Sequence, residues 1–506
     1  MKAGFKVFRD AVHNMISLCR ETTAPAADPV DWGDALLLDL IDTPEMQRLR
    51  RIQQLGPASR VYPSAEHSRF SHALGVMHLT KRILDALLSR EPGLLNREEL
   101  LQVKVAALLH DIGHGPYSHL FEMSHPRLGS HESWSWRIVS ESKGVGQAIH
   151  SFCMARNLDG ARFFQGLKSL MGGIEQPAGN MRLGRQIIAS QLDADRMDYL
   201  LRDAHFSGVS YGVYDLEWLL HSLRVQQMDG LPRLCVDIGR GPAALESYIT
   251  ARDHMYRQVY DHKTVRAFEA LMTHIFQTIY WHWQEHGQPP SDLPDILHRF
   301  LQHLHEERDA PSVDEYLALD DAVLEYALGI LASKNDPQSD TEAELVWKAR
   351  LWRVRKPVYR QIFWRVAGKR AESSRVGVSD LIVDPQLADH LETFLSAIAD
   401  QTMKVVEPNG QERRVPLRLL VYLDRLSRSP YAHLQYDPGQ AEPVYVLDSA
   451  GQVVPAESAS SQINFLGQNR RRVARLFVDP RAEQAVTILL REQLGEPDLW
   501  PVIPGS

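Results

Sequence analysis

The chain has 506 residues, 44 % of them hydrophobic, with a net charge of −8, enough for about two to four domains with a large core. The acidic balance speaks against a dedicated duplex binder that works through its overall field. Local basic clusters (Arg48, Arg50, Arg51 and Arg60; Arg353 to Lys369; Arg470 to Arg472) leave nucleic acid open as a partner. No apolar run approaches the roughly 20 residues of a membrane span, and the opening MKAGFKVFRDAVHN has no apolar leader, so a cytoplasmic chain without a membrane partner is expected. Cys19, Cys153 and Cys235 lie far apart without a CxxC pair, which argues against a disulfide framework and a zinc ribbon.

Residues 1–20 alternate in FKVFRDAV and ISLC, as in a short hairpin, and TTAPAADP follows as a link, so 1–30 is predicted as hairpin plus linker. In LLLDLIDTPEMQRLRRIQQLG, Asp42 or Thr43 caps a helix with Pro44 in its first turn and Met46, Leu49, Ile52 and Leu55 at helical spacing, ended by Gly56 and Pro57. The next helix opens near Ser68 to Ser71 and carries His72, Val76, Leu79 and Ile83 on one stripe. Leu100, Val103, Ala107 and His110 mark a buried helix that Gly113, Gly115 and Pro116 stop within AALLHDIGHGPYSHLFE. HPRLGSHESWSW places His131 and Glu132 at a helix start. RQIIASQLDADRMDYLLRDAHFSG reads as one helix with Ile188, Leu192, Asp195, Tyr199 and Asp203 down one face, and SYITARDHMYRQVYDHKTVRAFEALM as another with Arg252 and Tyr260 on one side. Residues 304–345 are acidic and read as a solvated loop or helical excursion. Beyond about residue 375 come short β-type runs and then a strand followed by a Pro-started helix. The expected fold is mainly α: a helical core over 31–375 with a smaller C-terminal α+β lobe over 376–506.

The stretch from Ala106 to Glu122 concentrates chemistry. His110 and Asp111 stand at a helix C-terminus, where a cation is favoured, and His114 and His119 follow in a glycine-broken turn. His72 supplies a second nitrogen and Asp195 a second carboxylate, a set suited to Fe, Mn, Ni or Zn. A face that begins apolar and turns into Asp195, Tyr199 and Asp203 is not a core stripe. Such a metal set activates water, and with arginines nearby the natural target is a phosphate ester or anhydride. His114 is a candidate to shuttle a proton or to hold a phosphate oxygen, and His131 with Glu132, or Glu122, to orient it.

These motifs carry a family resemblance. His72, His110-Asp111 and Asp195 form the H…HD…D signature of HD-domain metal-dependent phosphohydrolases. IDTPEMQRLRRIQQLG, SRFSHALGV, LLHDIGHGPYSHLFE, HE at 131–132 and DADRMDYLLRDAHFSG resemble the HD-domain deoxynucleoside triphosphate triphosphohydrolases, vertebrate members included, with weaker similarity at RQVYDHK, VYRQIF and NFLGQNRRRVARLF. No sterile-alpha-motif segment is read in the chain. The resemblance implies metal ligation by His72, His110, Asp111 and Asp195, with Mg accompanying the substrate, and hydrolysis of a dNTP to deoxynucleoside and inorganic triphosphate. It implies that Arg69, His114, His119 and Arg196 contact the triphosphate, with Arg196 in place of a lysine, and that Arg252 holds its terminal phosphate. His114 and His131 would handle protons. Gln54 and Leu55 would face the sugar, Tyr199 would block a 2′-hydroxyl, Asp203 would read the 3′-hydroxyl and Tyr260 would line the pocket. It further implies a homo-oligomer, dimer or tetramer, activated by a nucleotide bound between subunits through Lys6, Asp42, Arg50 and Arg360, although Trp218 and Trp364 replace basic effector residues. The alternatives are an HD phosphohydrolase acting on another phosphate compound and a nucleotide-sensing module.

Overall fold

The computed structural model describes residues 4–20, 29–171, 177–239, 242–305, 311–355, 360–362, 385–407, 410–428, 431, 442–448, 450–468 and 471–494. Helices dominate, with small sheets beside them. Two compact units are interleaved along the chain: residues 1–260, 303–324 and 430–469 make the first, and 261–302, 325–429 and 470–506 the second. The units therefore do not follow contiguous cuts at 30 and 375.

The first unit opens with the hairpin of Phe5–Asp10 and Asn14–Cys19, paired antiparallel from Phe5 opposite Cys19 to Asp10 opposite Asn14. Ile16, Leu18 and Cys19 turn inward and are buried. The helix Arg69–Leu88 is buried on nearly all sides and packs against Arg97–Leu109 and Ala194–Ser207; His72, Val76, Leu79 and Ile83 all have no exposure. A capping box starts Arg97–Leu109: the Asn96 side chain accepts from Glu99 N, and the Glu99 carboxylate from Asn96 N. His110 ends that helix as its C-cap. A small sheet completes the unit. Leu223–Met228 and Leu231–Asp237 form a hairpin whose Asp229-Gly230 turn has both residues at positive φ, the type I′ pattern. Tyr445–Leu447 adds in parallel to Leu231–Asp237, and Val453–Pro455 pairs beyond it. Tyr445–Leu447 and Val453–Pro455 thus belong to the sheet of the first unit and not to a C-terminal lobe.

In the second unit, Arg471–Val478 lies between Val421–Arg428 and Arg360–Ile362, antiparallel to both. Thr402–Val406 and Glu412–Pro416 form a separate hairpin. Trp281, Leu391, Val405, Leu419, Leu476 and Leu490 are among its core residues.

Several helices differ from their predicted extent. The segment after Pro44 is helical only to Arg48, with a 3-10 turn over Leu49–Arg51 and Ile52 extended, because Gln53 pairs with Ser68 as an isolated bridge. Thr43 caps it, and Asp42 instead ends the preceding helix, Asp34–Ile41. The stretch from Arg185 to Gly208 is two helices, Met181–Ile188 and Ala194–Ser207, because Asp193 caps the second by accepting from Arg196 N at 2.7 Å. Leu192 is therefore off the face that Asp195, Tyr199 and Asp203 share. The next helix ends at Met255 and passes through a π turn, Tyr256–Tyr260, before His262 caps Lys263–His286. The acidic stretch is largely helical, and Asp320, Asp321, Glu342 and Glu344 in it are buried.

Gly75 sets the spacing of two helices: a methyl built on it would meet Asp198 Oδ1 at 1.9 Å and Arg202 Nη2 at 2.5 Å. Gly75→Ala is expected to cost about 1–3 kcal/mol, seen as a lower urea midpoint; an unchanged midpoint would show that the helices are not held this close.

Candidate metal centre

Three local devices bring the predicted ligands together. Ser68 to Arg69 opens the helix that carries His72; the end of Arg97–Leu109 presents His110 and Asp111; Asp193 caps the helix that carries Asp195 in its first turn. Ligand atoms of His72, His110 and Asp195 all lie within 4.8 Å of one another. His72 Nε2 is 3.0 Å from Asp195 Oδ1 and 3.7 Å from Asp111 Oδ2; His110 Nε2 is 3.5 Å from Asp111 Oδ1 and 3.7 Å from Asp195 Oδ1.

The tautomers follow from the neighbours. His72 Nδ1 is 2.8 Å from Asp198 Oδ2, and His110 Nδ1 is 2.8 Å from the Ala107 carbonyl. Both partners only accept, so both Nδ1 atoms donate. Both Nε2 atoms are buried without a hydrogen-bond partner among the described residues, and in the neutral rings they carry lone pairs aimed at one point between two carboxylates. An orphaned buried polar atom is costly. Two of them facing Asp111 and Asp195 fit a divalent cation, with Asp198 and the Ala107 carbonyl as the outer partners that metal-binding histidines ordinarily have. The carboxylates draw positive charge to this point, and without an ion it is a proton on His72 that answers them. Burial alone lowers the His72 pKa, but Asp195 and Asp198 outweigh it and raise it to about 10. Burial opposes the charge of Asp195, yet His110 and His72 hold its carboxyl below the usual range; for Asp111, His110 and Arg69 do the same.

Beyond this point lies a histidine cluster. His114, His119 and His131 also offer ligand atoms within 4.8 Å of one another, as do Glu122, His131 and Glu132. His114 is buried, its ring 3.9 Å from that of His131 and 5.0 Å from that of His119, and both its nitrogens lack a hydrogen-bond partner among the described residues. Burial and the Arg69 guanidinium push its pKa well down, so the ring is neutral. His131 Nδ1 is 3.0 Å from Glu122 Oε2, whereas Glu132 Oε1 is 3.5 Å from His131 Nε2 and exposed. Facing His119 and then His131 lowers the Glu122 carboxyl to about 2, against the effect of burial. Of the two acids read beside His131, Glu122 is the nearer. His119 itself is exposed.

The turn that carries these groups is held on every side. A Cβ on Gly113 would meet His131 O and Ser135 N at 2.2 Å, so glycine there lets the two helices close up. Ser135 Oγ donates to the His110 carbonyl, Tyr316 Oη donates to the Gly113 carbonyl at 2.7 Å, and Arg48 Nη1 donates to the His114 carbonyl at 2.9 Å. Tyr117 and Ser118 both have positive φ, 54° and 58°, a strained pair for residues with side chains. Tyr117 N donates to Asp321 Oδ1 and Gln53 N to Asp321 Oδ2. Arg69 donates through Nε to Ser118 Oγ at 2.7 Å and pairs through Nη1 with Asp111.

One turn further along the Asp195 helix stands Tyr199, and one more brings Asp203. Asp203 is buried with both oxygens engaged: Oδ1 by His67 Nε2 at 2.8 Å and Oδ2 by Tyr260 Oη at 2.7 Å. Tyr199 meets Tyr260 edge-on. The amide of Gln54 has a buried Oε1 without a hydrogen-bond partner among the described residues, and Leu55 starts the 3-10 turn Gly56–Arg60. Arg196 donates to the Ser190 carbonyl and pairs with Asp193, while the Nε of Arg252 has no hydrogen-bond partner among the described residues. Away from this region, Lys6 Nζ is 3.4 Å from Asp42 Oδ2 and Arg50 stacks on Phe70 at 3.7 Å. Arg360 lies in a described strand, but its side chain does not belong to the described part; Trp364 lies outside the described residues.

Sequence reasoning missed His13, His67, Asp198, Arg202 and Asp321. The pair Asp198 and Arg202, four apart in a helix, was a local signal for a buried ion pair; the others meet their partners across long sequence separations.

The sequence profile of the HD domain matches residues 69–203. The uncharacterized protein YwfO of Bacillus subtilis is 30% identical over 417 residues, 82% of this chain and 84% of that protein. The deoxynucleoside triphosphate triphosphohydrolase SAMHD1 of Danio rerio is 30% identical over 301 residues, 54% of this chain and 44% of that protein, so the chain matches less than half the length of that relative. A crystal structure of a hypothetical protein from Aquifex aeolicus superposes with a TM-score of 0.62 at 26% identity, covering 96% of this chain and 100% of that one.

Asp195→Ala is expected to abolish bound manganese or iron, read by elemental analysis after gel filtration. Retained metal would remove Asp195 from the ligand set.

Proposed function

The chain belongs to the HD-domain family of metal-dependent phosphohydrolases, and from that premise we propose that it hydrolyses deoxynucleoside triphosphates to deoxynucleoside and inorganic triphosphate. The observation that carries the reading is the spacing on one helix face: Asp195 at the metal, Tyr199 one turn on and Asp203 a turn beyond. A helical turn advances about 5.4 Å. In a nucleotide only the 5′-oxygen and its methylene separate the α-phosphorus from the sugar ring. With Tyr199 and Asp203 reading the sugar, as the resemblance implies, this spacing supports the α-phosphate rather than the terminal one as the group beside the metal.

A bound divalent transition metal, Fe, Mn, Ni or Zn, supplies Lewis acidity and water activation. Arg69, fixed by Ser118 and Asp111, takes a phosphate oxygen, as do Arg196 and His119, with Mg accompanying the substrate; Arg252 holds the terminal phosphate. Attack joins the water oxygen to the α-phosphorus and breaks its bond to the 5′-oxygen, which leaves with a proton. His114 and His131, ring to ring, form the proton-handling pair, and Glu122 fixes the orientation of His131. Phosphate oxygens beside His114 would offset the Arg69 charge that lowers its pKa. Tyr199 excludes a 2′-hydroxyl, and Asp203, already held by His67 and Tyr260, accepts from the 3′-hydroxyl. The pair Lys6 and Asp42, with Arg50 nearby in sequence, is read as part of an effector site completed in an oligomer.

Each dNTP supplied alone, and then all four together, with products resolved by ion exchange, is expected to give deoxynucleoside and triphosphate. Activity confined to the mixture would reveal the effector site. Monophosphate and pyrophosphate would move the scissile bond and overturn the reading, and no turnover with manganese or iron would favour another phosphate substrate or a sensing role. Tyr199→Ala is expected to keep dNTP turnover and admit ribonucleotides; unchanged discrimination would remove Tyr199 as the gate.

A further inference from the structure

The N-terminal hairpin reaches the metal centre from behind. His13, in its turn, is only 2 % exposed at the side chain, and its Nε2 is 2.6 Å from Asp198 Oδ1. The other oxygen of that carboxylate holds His72 Nδ1 at 2.8 Å. Arg202 donates to Asp198 through Nε and Nη2 at 2.8 and 2.9 Å, and to Asp10 of the hairpin through Nη1 and Nη2 at 2.8 and 3.2 Å. Asp10 Oδ1 in turn accepts from Val12 N and His13 N at 2.9 Å, which fixes the turn that aims His13. At its other end the hairpin is tied to a second buried carboxylate: Asp34 accepts from Cys19 N at 3.1 Å and from Lys81 and Lys104.

We infer that His13 is a positioning residue of the metal centre and that the hairpin Phe5–Cys19 is its outer wall, so that docking of the hairpin and occupation of the metal site favour each other. The inference rests on the metal-centre reading but not on the substrate. Asp198 orients His72 only while its own carboxylate is fixed. Without His13, Oδ1 keeps Arg202 alone and the carboxylate can turn away from His72. Coupling of this kind is reciprocal: what the hairpin adds to metal affinity, the metal adds to hairpin stability.

The test is manganese binding by chelator competition on the full chain, with the thermal midpoint followed in parallel. His13→Ala is expected to weaken manganese about 10-fold or more, in the range of other outer-shell changes. His13→Gln, whose side-chain N–H can reach the same carboxylate, is expected to recover much of that loss. In the unaltered chain, manganese is expected to slow hydrogen exchange at the amides of Phe5–Cys19, an observation that needs no variant to fold. A lowered thermal midpoint in His13→Ala with unchanged manganese affinity would mean a structural role only and would overturn the inference, as would hairpin exchange indifferent to manganese. Absence of manganese binding by the unaltered chain would overturn the metal-centre reading and this inference with it.

Discussion

Asp198 is a carboxylate with no exposure that receives hydrogen bonds from His13, His72 and, twice, Arg202. Burial opposes its charge, and Arg202 followed by the two histidines holds its pKa well below the ordinary range. An isolated buried charge is prohibitive, whereas one with its lone pairs filled can persist. What results is an acceptor that can only accept. It forces His72 to donate from Nδ1 and so to turn Nε2 toward Asp111 and Asp195. Gly75 is part of the same arrangement, because any side chain there would occupy the space of the carboxylate. The first candidate ligand of the site is thus aimed by a group outside the candidate ligand set.

The second half of the site is held by strain and its restraints. Consecutive non-glycine residues at positive φ cost on the order of 1–3 kcal/mol each and persist only where the surroundings over-determine them. At Tyr117 and Ser118 the restraints are identifiable: Asp321 takes Tyr117 N and Gln53 N, and Ser118 Oγ donates to the Gln53 carbonyl while accepting from Arg69. The turn, the segment bearing Gln54 and the guanidinium beside Asp111 are therefore one hydrogen-bonded body. Residues 303–324, distant in sequence, supply Asp321 and the Tyr316 ring that stacks on Trp134 at 3.8 Å.

Much of this was legible in the sequence because it is local. A histidine followed by an aspartate at a glycine-broken helix end, a histidine on a fully apolar stripe and an acidic face one turn apart need only helical periodicity to be read, and His72, His110, Asp111 and Asp195 do converge. Helix extents were read too long where a side chain intervened: Asp193 caps a new helix inside an unbroken apolar pattern, and the Gln53 to Ser68 bridge ends another early. Interleaving of the two units left no local mark, since Tyr445–Leu447 looks like any short strand until it pairs with Leu231–Asp237. His13 and Asp198 are 185 residues apart, and nothing in the neighbourhood of His13 distinguishes it from a turn histidine.

The charge balance constrains how a polyanionic substrate could bind. With a net charge of −8 the long-range field repels it, so attraction must be local. Locally, too, the acids are numerous: Asp111, Asp193, Asp195, Asp203 and Glu122 stand among Arg69, Arg196 and Arg252. Arg69 is already matched by Asp111 and Arg196 by Asp193, and His114 is held neutral. Before a cation is bound, the site is therefore at best balanced toward a triphosphate. A divalent ion held by His72, His110, Asp111 and Asp195 would offset the two carboxylates and leave more of the Arg69 charge for phosphate oxygens. On the proposed reading an ion held there would offset the excess of carboxylates over arginines as well as supply water activation, which would make substrate affinity depend on metal occupancy even for a substrate that is never turned over.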